Sequence, residues 1–218
     1  MVLKRKNKLK KTINHYDSLI AEEYEFIRTN IEFTVLENNC KVIGITSPSG
    51  GEGKSTTVAN LALSLAEMGK KVLIIDMNVR NPMINKMFHI KNTIGLTNIL
   101  VGQKHLEEVI VQTGEPLIGV IPAGPIPYNT ERLFKSQLMD QLFESAQKIY
   151  DLILVDGPSI LAENEAKIIA NRCDGVVMVI QYGKTEDTVA LEAKKSLIIA
   201  KAKLLGVVIN AKRKVLFS

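Results

Sequence analysis

Six short apolar runs, at 41–46, 71–76, 117–122, 151–156, 175–180 and 206–210, are separated by stretches with helical periodicity. Runs such as "KVLIID", "DLILVD" and "GVVMVI" leave no face for water, which is what a parallel sheet covered by helices on both sides requires. Between the first two, 54–68 sets Val58, Leu61, Ala62, Leu65 and Ala66 on one stripe, with Gly69 at the expected stop. Further helices are expected near 131–149 and 186–202. The alternation predicts an α/β chain with a doubly wound, mostly parallel sheet. Ahead of the first run, Ile20, Tyr24, Ile27, Ile31 and Val35 recur at helical spacing, so a helix entered from Asp17 or Ser18 precedes the main fold.

At 218 residues, with 46% hydrophobic and 23% charged, the chain has enough apolar material for one core. It divides into a basic flexible tail, 1–16, and a single domain, 17–218. No apolar run approaches the roughly 20 residues that cross a bilayer, and no secretory leader opens the sequence, so a cytoplasmic location is expected. In that setting Cys40 and Cys173, far apart and without metal-ligand spacing, read as buried thiols. The tail segment "KRKNKLKK" (4–11) carries six basic residues in eight and fits a solvated arm, an anionic lipid surface or nucleic acid. Lipid is preferred to nucleic acid because no aromatics interleave the lysines. His15, His89 and His105 have no paired ligand or nucleophile and read as surface residues, and hydrolytic triads and zinc sites find no matching spacing.

Chemistry concentrates in "GGEGKST", residues 50–56, between a strand and a helix. Gly50, Gly51 and Gly53 let backbone N–H groups turn toward phosphates, and the helix N-terminus adds partial positive charge. Lys54 would reach the terminal phosphates, and the Ser55 hydroxyl would ligate Mg²⁺. The strict pattern asks for glycine at 48, where this chain has Pro48, so the loop is a variant. Asp156 ends the run "LILVD", at the sheet edge where such folds collect ligand groups, and is placed to hold the metal, usually through a water. Asp76 ends the strand after the loop's helix, which can neighbour the first strand, and would point into the same crevice. Two strand-end carboxylates on one triphosphate divide naturally between metal and nucleophile. Asn78 follows two residues later and can hydrogen-bond without taking a proton, while Arg80 is open to a carboxylate, a phosphate or plain solvent.

The set "SPSGGEGKSTT", "VLIIDMNVRNP", "LILVDGPS", the helix "EEYEFIRTNIEF" and "GPIP" at 124–127 resembles the cytoplasmic domains of bacterial tyrosine kinases (BY-kinases) of capsule and exopolysaccharide clusters, over about residues 20–210. That resemblance implies a P-loop fold of the deviant-Walker, partition-ATPase type and a kinase that uses ATP and Mg²⁺ to phosphorylate tyrosines on neighbouring subunits of a ring. It also implies activation by a membrane-embedded chain-length regulator, which would hold the chain at the inner face of the cell membrane. In that picture Gly50, Gly51, Glu52, Gly53, Lys54, Ser55 and Thr56 bind ATP, Asn210 lies on the adenine side, Ser55, Asp76 and Asp156 serve the metal, and Asp76 is the base toward tyrosine.

Three departures stand out against the family pattern. Asn78 replaces a second acid, Glu25 replaces the middle arginine of an oligomerisation element that here reads Glu22, Glu25, Arg28, and the C-terminus has no tyrosine cluster. All five tyrosines, 16, 24, 128, 150 and 182, lie earlier. Two other readings follow: a nucleotide-binding scaffold without turnover, and an ATPase switch of the septum-positioning or plasmid-partition kind. Against the second, Ser49 stands where those proteins carry another lysine.

Overall fold

The computed structural model describes residues 18–38 and 40–210, so the basic tail 1–16, Asp17 and the segment after Asn210 lie outside the described residues. Seven strands form one sheet: β1 (Val42–Thr46), β2 (Val72–Asp76), β3 (Val111–Gln112), β4 (Ile118–Ile121), β5 (Leu152–Asp156), β6 (Gly175–Gln181) and β7 (Leu204–Asn210). They are ordered β3-β4-β2-β5-β1-β6-β7. Every pairing is parallel except β3 with β4. The expected doubly wound, mostly parallel sheet is therefore present. The six predicted strands are recovered within two residues at each end, and the short antiparallel β3 adds an edge.

Among the described residues the helices are α1 (Ser18–Asn38), α2 (Lys54–Glu67), α3 (Ile84–Met87), α4 (Leu96–Leu100), α5 (Leu106–Val109), α6 (Thr130–Phe134), α7 (Gln137–Ala146), α8 (Asn164–Arg172) and α9 (Asp187–Ile199). The helix expected over 131–149 is thus two, with the chain turning at Lys135 and Ser136. The two faces of the sheet explain the unbroken apolar strands. In β2, Leu73 and Ile75 pack toward Met139, Leu142, Ile169 and Leu197 of α7, α8 and α9, whereas Val72 and Ile74 pack toward Val58, Leu61 and Leu65 of α2. Each fully buried side chain of this size is worth roughly 1.5–3 kcal/mol relative to exposure, so both helical layers are held by the same strands.

Helix α1 lies on the α2 side, burying Ile31 and packing Ile27 against that layer. Burial against α2 pushes the Tyr24 hydroxyl pKa up, with the Thr57 and Asn60 side chains pulling the other way, and Arg28 donates to the Ser64 carbonyl at 3.3 Å. Cys40 and Cys173 are buried and outside any disulfide, and His89 and His105 are exposed, as expected. His15 lies outside the described residues. No helix among the described residues is long and apolar enough to cross a membrane.

One sequence expectation is corrected. Strand β2 does not lie beside β1, because β5 sits between them. The α2 crossover skips one strand position, which β5 fills, whereas the α9 crossover joins the adjacent strands β6 and β7. The correction matters for the site, since it makes Asp76 and Asp156 direct neighbours.

Candidate active site

Residues 47–53 turn from β1 into α2 through two left-handed glycines, Gly51 at φ 77° and Gly53 at φ 99°. A side chain at Gly53 would collide with Asn210, whose Nδ2 lies 2.2 Å from the β-carbon position, so only glycine fits. Gly50 faces open space. Helix α2 starts at Gly53 with no side chain capping its first N–H groups. Those donors and the helix dipole are left for an anion. Lys54 is 6% exposed, and its ammonium donates to Ser47 Oγ at 3.0 Å and Ser159 Oγ at 3.2 Å. Burial pulls its pKa below the usual lysine value, while Asp156, Glu52 and Glu163 oppose the shift. Two hydroxyls therefore aim the ammonium from below the loop.

Asp76 and Asp156 end β2 and β5 at paired register, both wholly buried. Ser55 donates to Asp156 Oδ2 at 2.6 Å, and Asp156 Oδ1 is buried without a partner. Asp76 accepts three backbone N–H groups at 3.1 Å each: Asn78 on Oδ1, and Met83 and Ile84 on Oδ2. Burial pushes both carboxyls above the ordinary range, and the negative charge of Asp156 pushes Asp76 further. The backbone donors on Asp76, and Ser55 and Lys54 beside Asp156, pull the other way without cancelling it. Two carboxyls that resist ionising together are thus held apart from water, an arrangement that costs stability and persists where a ligand uses it. The chain turns after β2, with Asn81 N–H donating to the Asn78 carbonyl, and the Asn78 side-chain oxygen is buried without a partner.

The remaining predicted residues separate into two groups. Glu52 and Asn210 join the loop: Asn210 Nδ2 donates to the Glu52 carbonyl at 3.1 Å, and Thr185 Oγ1 donates to Glu52 Oε1 at 3.2 Å. Thr56 sits in the first turn of α2, its carbonyl accepting from Asn60. Glu22 and Arg28 stand apart on α1, where Glu22 is exposed and Arg28 faces inward to Ser64 and, at 3.9 Å, Glu32. Arg80 takes the carboxylate option, pairing with Glu165 at 2.8 Å and Glu163 at 3.5 Å. The sequence reading missed Ser47, Ser159, Thr185, Glu163 and Glu165. Ser47 and Ser159 carried a local signal, as the first residue of the quoted "SPSGGEGKSTT" and the last of "LILVDGPS".

The donors suit a magnesium nucleotide. A serine hydroxyl, an orphaned carboxylate oxygen and a second carboxylate are hard oxygen ligands, too few to cage an ion alone but right for Mg²⁺ that keeps waters and phosphate oxygens. Among the described residues no cluster of three or more acidic, histidine or cysteine ligands exists, consistent with a metal that arrives with its nucleotide.

A family profile described as an AAA domain matches residues 40–205. The tyrosine-protein kinase YwqD of Bacillus subtilis (strain 168) is 44% identical over 196 residues, covering 90% of this chain and 83% of the relative. The chain belongs to the bacterial tyrosine kinases. Among solved structures, the kinase domain of the Escherichia coli tyrosine kinase ETK superposes with a TM-score of 0.85 at 28% identity, over 91% of this chain and 78% of that one. The septum site-determining protein MinD of Pyrococcus horikoshii OT3, complexed with Mg-ADP, superposes with a TM-score of 0.67 at 26% identity, over 78% of this chain and 70% of that one. The fold is shared with both kinds of protein, and the BY-kinase likeness extends over more of the chain. The resemblance read from the motifs is thereby borne out.

Proposed function

We propose that this bacterial tyrosine kinase binds Mg-ATP on the loop 47–55 and passes the γ-phosphoryl group to tyrosine hydroxyls of partner proteins in a capsule or exopolysaccharide system. The facing pair Asp76 and Asp156, with Ser55 on the latter, carries the reading. Lys54 and the uncapped N–H groups of α2 hold the phosphates. Ser55 and Asp156 hold the metal, with Asp76 beside it. Magnesium, when bound, neutralises charge on the terminal phosphates. Asp76 takes the tyrosine proton as the new O–P bond forms and the bond to the β-phosphate oxygen breaks, releasing ADP. Its raised pKa supports this role, because it narrows the gap to a phenol of pKa about 10. Three backbone donors fix the carboxyl for that transfer.

With no membrane-crossing helix among the described residues, association with the inner face of the membrane would come through a membrane-embedded chain-length regulator. The exposed Glu22 side of α1 is the surface offered to a neighbouring subunit in a ring. Asn78 favours a second reading, a nucleotide-bound scaffold without turnover, because its orphaned amide oxygen sits where the family pattern has an acid. One experiment separates the two: label transfer from γ-labelled ATP with Mg²⁺ to a tyrosine-rich acceptor, with Lys54→Met as control. Lys54-dependent phosphotyrosine is expected. Tight ATP binding without transfer would leave the scaffold.

A further inference from the structure

A triphosphate brought against Asp76 and Asp156 adds negative charge to a site that already holds two buried carboxylates. Lys54 is the buried cation there. Arg80 is taken up by Glu163 and Glu165, and position 49, where partition-type ATPases carry a second lysine, is serine. Another cation nevertheless reaches the loop. Lys184, on the turn after β6, places its ammonium 3.7 Å from the point a β-carbon on Gly51 would occupy. It is exposed, and among the described residues it forms no ion pair.

The turn that carries Lys184 is fixed to the phosphate loop from both sides. Thr185 Oγ1 accepts the Gln181 N–H at 2.9 Å and donates to Glu52, and the Tyr182 N–H donates to the Asn210 carbonyl at 2.9 Å while Asn210 holds the Glu52 carbonyl. Gln181, Tyr182, Thr185, Glu52 and Asn210 therefore hold the backbone of the turn, which keeps the root of the Lys184 side chain beside the loop while its exposed stem stays free to move. The sheet order sets its direction. Lys54 is tethered to Ser159, just past β5 on one side of β1, and Lys184 follows β6 on the other. Gly50, between the two, borders open space.

We infer that Lys184 is a second phosphate-binding cation, contacting the phosphate chain of the nucleotide from the β6 side of the loop while Lys54 contacts it from the β5 side. The inference rests on the reading that the loop holds ATP. It supplies in the same chain the charge that position 49 lacks. A lysine ammonium suits the task because it serves as a compact point charge to several oxygens at once. Being exposed, it can swing onto the nucleotide after binding, whereas Lys54 is already seated.

Calorimetric binding of ATP, ADP and adenosine to the purified chain with Mg²⁺ tests it, at two potassium chloride concentrations, for wild type, Lys184→Ala, Lys184→Arg and Lys54→Met. Lys184→Ala is expected to weaken ATP and ADP about tenfold, a change of about 1.4 kcal/mol, with adenosine unchanged, a shallower salt dependence and an unaltered melting temperature. Lys184→Arg is expected to recover most of the loss. Wild-type ATP affinity and salt dependence in Lys184→Ala, alongside failure of Lys54→Met to bind, would overturn the role of Lys184 alone. Equal ATP binding by wild type and Lys54→Met would instead overturn the loop's reading as the ATP site, and the lysine's role with it.

Discussion

Strand β5 is flanked by an aspartate at each end, and the two are treated in opposite ways. Asp151, at the N-terminal edge of the sheet, is exposed and accepts the Lys71 N–H at 2.7 Å. Asp174 does the same at the start of β6, accepting from Lys41 at 2.7 Å and Val42 at 2.8 Å. These carboxylates tie off strand ends with water close by. At the C-terminal edge, Asp156 is buried, keeps one oxygen unpartnered and faces Asp76. One edge of the sheet is thus built for stability, and the other spends stability on a site. The residue type is shared, so what separates them is the edge of the sheet, burial and the company of a second carboxylate.

The sharpest break of this contrast is Asp76→Asn, which keeps the shape and removes the proton acceptor. Phosphotyrosine formation is expected to fall about 10²–10⁴-fold. Retention of activity within a few-fold would remove Asp76 from the base role. Next comes Asp156→Asn, expected to move two readouts in opposite directions. Mg²⁺-dependent ATP affinity should fall about 10–100-fold, while the nucleotide-free chain melts at a higher temperature because the like-charge pair is gone. A drop in both would show that the carboxylate stabilises the free chain and that the two edges are not opposed.

The pH dependence of stability sharpens the same point. Both buried carboxyls titrate above the unfolded value of about 4, so their contribution is fully present in acid and is lost as pH rises through their raised range. The urea midpoint of the nucleotide-free chain is expected to fall from mildly acidic to mildly alkaline pH, and the slope to flatten in Asp156→Asn. A flat wild-type profile would contradict the pair's burial cost. The smallest effect belongs to the other edge. Asp151→Ala should lower unfolding free energy by about 1 kcal/mol and leave tyrosine phosphorylation unchanged, checked by denaturation and label transfer side by side.

What the sequence disclosed follows from the range of the forces involved. Strands β1, β2, β4, β5 and β6 are legible because burial on both faces forces an unbroken apolar run, and the phosphate loop is legible because its glycines, Lys54 and Ser55 act within one turn of chain. Helices α3, α4 and α5 were not, since four or five residues show no period, and the break at Ser136 is set by packing rather than pattern. Within the site, Asp76 and Asp156 were readable as strand ends, but their adjacency required the strand order. Ser159 meets Lys54 from 105 residues away, Thr185 meets Glu52 from 133, and Glu165 meets Arg80 from 85, separations no local spacing encodes.

The attachment of α1 has a mechanical consequence. Ile27 and Ile31 pack into the layer built by α2, and Arg28 holds the Ser64 carbonyl, on the helix whose first two residues are Lys54 and Ser55. A pull on the N-terminal end of α1 loads the phosphate helix through its side, without passing through the sheet. A shift of α1 would therefore reach Lys54 and Ser55, the residues proposed to hold the phosphates, through α2.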